Sequence, residues 1–203
     1  MEGPVTRFYV GLDLGQKRDH AAVAVVEKGA DEIHYAVRHL ERMPLGTPYP
    51  DVVARVREMV QDEKLRGRCS LAVDGTGVGA PVVDLLRAAE LGCDLSAVTI
   101  TGGDRESQSG EVWSVPKRDL IGGVQVLLEK GELRIARELR EAGALMRELL
   151  DVRMTMAGSG RVRLGADGFG EHDDLVIALA LACWRAKRTQ RHNGFGKQRL
   201  PCF

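Results

Sequence analysis

Apolar and polar positions follow one another along this chain in blocks whose spacing predicts an order of elements. FYVGLDLG, AAVAVVEKG and EIHYAVRHLE are rich in β-branched and aromatic residues and are parted by short polar breaks at residues 16–20 and 29–31. Three such strands with short connections form an antiparallel meander. After the break PLGTPYP, Val52, Val56, Met59 and Val60 recur at helical spacing, which predicts a helix ending near Gly67. SLAVDG is a nearly continuous apolar run of the buried-strand kind, and Val82, Leu85, Leu86 and Ala89 in APVVDLLRAAELG lie on one helical face. With DLSAVTIT as the next strand, strand, helix and strand make a parallel crossover.

TGGDRESQSGE reads as a polar, glycine-rich mobile loop, followed by helices over residues 117–130 and 137–151. RMTMAGSGRVRLG has two β-favouring arms around Gly158-Ser159-Gly160, a hairpin carrying Arg153, Arg161 and Arg163. Leu175 to Trp184 is uninterrupted apolar sequence rich in Leu and Ala, which predicts a buried core helix. The expected class is α/β: a mixed sheet, three antiparallel strands then parallel ones, with helices covering it.

At 203 residues the chain suits one domain. No run approaches the roughly 20 apolar residues of a membrane span, and MEGPVTRFYVGLD lacks the form of a signal peptide, so a soluble cytoplasmic protein is expected. Cys69, Cys93, Cys183 and Cys202 have no C-x-x-C spacing, which argues against zinc and against a disulfide framework. The 29 acidic residues balance 29 basic ones, so net charge does not point to nucleic acid. The charge is uneven, however: residues 185–203 hold six Lys or Arg and no acid. Residues 1–188 are therefore read as the folded domain and 189–203 as a basic, flexible tail, suited to solubility or to a phosphate-rich partner.

The candidate chemistry lies in four aspartates. Asp173 and Asp174 precede the apolar helix, and only one of two adjacent acids can cap it, while crowded carboxylates raise one another's pKa unless a cation relieves them. Asp13 in YVGLDLG and Asp74 in LAVDGTG each end an apolar strand, where an Asx turn is the ordinary explanation. If those strands are parallel neighbours, both carboxylates emerge at the edge where open α/β sheets bind ligands.

GLDLGQKRDHAAVAVVE, LAVDGTGVGAPVVDLL, VPKRDLI and EHDDLVIALALA, in that order, resemble the nuclease domain of phage terminase large subunits. The resemblance covers roughly residues 7–185, and its most specific part is HDD before an alanine-rich helix. It implies a ribonuclease H-like fold, shared with Holliday junction resolvases, and a DNA endonuclease acting in genome packaging by two-metal hydrolysis. By this likeness Asp13 is the first metal-holding acid, Asp74 the second and Asp173-Asp174 the third, with Asp174 the expected ligand of the pair. The donors favour Mg²⁺ or Mn²⁺. Lys117 matches the family's V-P-K lysine near phosphate, Arg161 and Arg163 are candidate DNA contacts, and His172 is a candidate support at the helix start. Partners implied are double-stranded DNA, an ATPase motor domain, the small terminase subunit and the portal, in host cytoplasm. The sequence departs in having Asp74 where Glu is common, and no G-x-x-x-x-G-K-[ST] of the ATPase occurs. A rival reading takes GLDLG and DGTGVG as phosphate loops of the actin and sugar-kinase type.

Overall fold

A computed structural model describes residues 6–15, 19–29, 33–77, 79–152 and 173–195, with side chains as far as residue 189. The first three strands, β1 (Arg7–Asp13), β2 (Ala22–Lys28) and β3 (Tyr35–Arg42), form the expected antiparallel meander. Helix α1 (Tyr49–Val60) buries Val52, Val53, Val56 and Val60. It stops seven residues short of Gly67, because the polar stretch after Val60 closes into successive turns. β4 (Cys69–Asp74), α2 (Gly79–Ala88) and β5 (Asp94–Thr101) make the parallel crossover, with β4 paired to both β1 and β5.

Three features differ from the sequence reading. The segment taken as a mobile loop contains β6 (Ser107–Ser109), which pairs antiparallel with β7 (Val112–Pro116). Ser-Gln-Ser is fully exposed and has no apolar alternation, so backbone pairing alone marks it as strand. After α3 (Lys117–Glu129), the three-residue β8 (Leu133–Ile135) joins β3, and α4 begins only at Ala142, running to Asp151. Last, α5 (Asp174–Phe195) continues past residue 188 into the segment expected to be a flexible tail. Up to residue 188 the helix is held by distant side chains: the Arg188 guanidinium lies 4.0 Å from the Trp113 ring centroid and pairs with Glu106, and Trp113 meets Trp184 edge-on at 5.6 Å. The hairpin expected around residues 158–160 lies outside the described residues.

Among the described residues the sheet has eight strands, ordered β6-β7-β5-β4-β1-β2-β3-β8. α1 and α2 cover one face through Val56, Val82 and Leu86 against Val10, Leu12, Val23 and Leu71. α3, α4 and α5 cover the other, where Leu120, Leu145 and Leu179 pack on Tyr9, Ala22, Ala24 and Ala72. Every residue from Asp174 to Cys183 is buried, since α5 has the sheet beneath it and α3 and α4 against it. That explains an apolar sequence with no polar face. Among the described residues no helix is long and apolar enough to cross a membrane. Among the described residues Cys69, Cys93 and Cys183 are free thiols.

Candidate active site

β1 and β4 run parallel with Leu12 opposite Val73, so Asp13 and Asp74 follow at adjacent strand ends. Asp13 shares a strand face with Tyr9 and Gly11, and Asp74 shares one with Ala72. Tyr9 and Ala72 both pack toward α5, so the two acids face the helix that begins at Asp174.

Gly11 sets that approach. A Cβ at this position would lie 1.9 Å from the Ala178 carbonyl oxygen and 2.7 Å from the Ala182 nitrogen. The backbone of α5 therefore rests directly on β1. Asp13 is two residues beyond Gly11 on the strand, and Asp174 is one turn before Ala178 on the helix, so one contact brings the first and third acids together.

The second acid is held by a turn. Asp74 Oδ1 accepts the Thr76 N–H at 2.8 Å, and Thr76 Oγ1 accepts the Ile100 N–H at 2.8 Å, which ties the turn to β5. The Asx reading of Asp74 is thus correct in itself, and it fixes the carboxylate instead of excluding a role. Lys117, at the start of α3 immediately beyond β7, donates from Nζ to Asp173 Oδ2 at 2.6 Å.

The electrostatics follow from the crowding. Burial pushes the Asp13 carboxyl well above the ordinary range, and Asp74, Asp174 and Asp173 push it further, against the pull of Lys117. Asp74 is raised by burial too, with Thr76 and Lys117 opposing. Four aspartates beside Lys117 and Arg42 leave the cluster short of positive charge, and its donors are hard carboxylate oxygens, which fit Mg²⁺ or Mn²⁺ better than zinc. Among the described residues no three of His, Cys, Asp or Glu stand at metal-holding spacing.

A family model described as the Terminase RNaseH-like domain matches residues 10–185. The chain belongs to this family. Among solved structures, the terminase domain is similar to the large terminase nuclease from thermophilic phage G20c, at 26% identity and TM-score 0.61 over 87% of this chain and 81% of that one. It shares the fold of the human cytomegalovirus terminase nuclease domain, Mn soaked with inhibitor bound, at 13% identity and TM-score 0.59, covering 92% and 85% of the two chains. The SPP1 large terminase nuclease domain with bound Mn gives 14% and 0.57, covering 89% and 86%. No curated protein sequence matches the chain. The mixed sheet is that of RNase H-like terminase nucleases, and the family takes the place of the nucleotide-binding rival: this is a terminase nuclease domain, a DNA endonuclease of genome packaging.

Of the predicted site residues, the terminase fold brings Asp13, Asp74, Asp173, Asp174 and Lys117 to one sheet edge. His172, Arg161 and Arg163 lie outside the described residues. Two residues went unread in the sequence. Glu148, on α4, accepts the N–H groups of Leu175 and Val176 at 3.0 and 3.1 Å on Oε2, so α5 is capped by another helix. Arg42, ending β3, bonds Glu148 Oε1, and its Nε lies 3.5 Å from Asp174 Oδ2. Burial raises Glu148 to about 7 against the pull of the Val176 N–H and Arg42. A signal for Glu148 was present: it continues the buried face of Ala142 and Leu145, where an acid is out of place.

Proposed function

We propose that this terminase domain hydrolyses DNA phosphodiesters with two divalent ions, Mg²⁺ or Mn²⁺, held by Asp13, Asp74 and the Asp173-Asp174 pair. The observation that carries the reading is the convergence of these aspartates from β1, β4 and the head of α5 beside a single lysine. Relatives of the same fold solved with Mn support it. Bound by these carboxylates, divalent ions would supply an activated water and stabilise the charge that gathers on the phosphate oxygens.

The chain's own groups then have separable parts. Asp13, close enough to Asp74, Asp174 and Asp173 for each to raise its pKa, would hold metal together with them. Asp74, with Oδ1 occupied by Thr76, presents Oδ2. Asp174 is 4% exposed and set by the helix backbone, so little conformational freedom is lost when it takes a ligand. Lys117 holds Asp173 across the edge and offers its ammonium protons to a phosphate that enters there. No side chain has to act as general base.

The same reading expects double-stranded DNA as substrate and the ATPase motor domain, small terminase subunit and portal as partners in host cytoplasm. Purified protein should nick and cut plasmid with little sequence preference when Mn²⁺ or Mg²⁺ is added, and EDTA should stop it. Asp13→Asn should fall to background. Cleavage persisting in that variant would remove the assignment.

A further inference from the structure

Glu148 is not used by the chemistry above, yet it is 6% exposed on the apolar face of α4. A carboxylate is costly there unless its charge and lone pairs are matched. Its two oxygens do separate things: Oε2 accepts from Leu175 and Val176, and Oε1 from Arg42. The Asp173 carbonyl accepts the Ile177 N–H, so Asp173 stands at the N-cap position of α5. Leu175 and Val176 then carry the two N–H groups that an N-cap side chain ordinarily takes. Glu148 has them, and Asp173 turns to Lys117. From the other side Arg42 spans Glu148 and Asp174.

We propose that Glu148 is a positioning residue for Asp174: it caps α5 and, by balancing the charge of Arg42, keeps that guanidinium from becoming the counterion of Asp174. This rests on the metal-dependent reading of the site. With Glu148 ionised against Arg42, the three groups together carry one net negative charge, which remains for a cation. With Glu148 neutral, Arg42 becomes the counterion of Asp174 and competes with the metal.

The test is Mn²⁺ binding to the full chain, read from the loss of the EPR signal of free aqueous Mn²⁺, well below the melting temperature and with circular dichroism confirming the fold. Glu148→Gln keeps an acceptor for the helix N–H groups, removes the charge and sets an amide NH2 where Arg42 had an acceptor. Its Mn²⁺ Kd should weaken about 10- to 100-fold, the usual size of an outer-shell effect, and its plasmid cleavage should recover at higher Mn²⁺. Adding Arg42→Gln should return the affinity close to wild type, because the competing cation is gone. That double variant, with its charges still matched, carries the test by itself if Glu148→Gln does not fold. Wild-type affinity in a folded Glu148→Gln protein makes Glu148 a helix cap only and overturns the proposal, as does a double variant that still binds weakly. A wild-type protein that takes up no Mn²⁺ overturns the metal reading itself, and this inference with it.

Discussion

At the scale of the residue, the site is a set of carboxylates kept together against their own repulsion. Asp13 is raised by burial and by three neighbouring acids, and Asp74 is raised by burial and by Asp173. For an acid whose folded-state pKa lies above its unfolded value, stability is greatest when it is protonated and is lost as pH rises from the unfolded pKa toward the folded one. Near neutral pH the metal-free fold therefore carries a cost that a neutral isostere removes. Asp74→Asn retains the acceptor that binds the Thr76 N–H, so it should melt a few degrees above wild type in EDTA, about what 1 kcal/mol produces at this size. Mn²⁺ at 100 times its Kd should add about 2.7 kcal/mol to wild type and much less to the variant. Paired thermal melts check both signs, and a variant that melts lower without metal would show that Asp74 serves its turn alone.

The element that matters most is α5, whose seating on β1 depends on the missing side chain of Gly11. Because a methyl there meets helix backbone at 1.9 Å, no rotamer change relieves it, and the helix or the strand has to move. Gly11→Ala should cost at least the roughly 1–3 kcal/mol typical of overpacking, seen as a lower denaturant midpoint. It should weaken Mn²⁺ binding as well, since Asp13 and Asp174 part when α5 lifts. Loss of stability with unchanged Mn²⁺ affinity would separate helix seating from site geometry. Burial on every side also explains why an acid on α4 caps this helix. α5 enters the core at its first turn, where water cannot satisfy Leu175 and Val176 N–H, so a neighbouring element supplies the acceptor.

For the whole molecule, sheet direction decides which residues meet. β1 and β3 both run antiparallel to β2, and β4, β5 and β7 follow β1, so Asp13, Arg42, Asp74 and Lys117 gather at one edge from widely separated points in the chain. That edge is acidic in a chain with no net charge, and long-range attraction therefore does not bring DNA to it. Binding has to draw on cations at the site and on local basic residues. If Arg161 and Arg163 contact backbone phosphate, replacing both with Ala should reduce the slope of log K against log salt by about 2 in a fluorescence titration with duplex DNA. An unchanged slope would make them solubility charges.

What the sequence determined by itself follows from local spacing. The meander, the parallel crossover and the apolar α5 could be read because burial imposes periods of 2 and 3.6, or none where an element is covered all round. The four aspartates could be read because polar residues ending apolar runs stand out, and the resemblance gave them an order. β6 and β8 could not be read, because three residues carry no period and their pairing is a backbone matter. The run of α5 beyond residue 188 was missed because its polar, basic sequence carries no apolar period to read. Above all, sequence left Asp173 and Asp174 to compete for one cap. The tertiary structure settled it by bringing Glu148 from α4 and Arg42 from β3 to the helix start, because a buried N–H takes its partner from whatever packs against it, not from its neighbours in the chain.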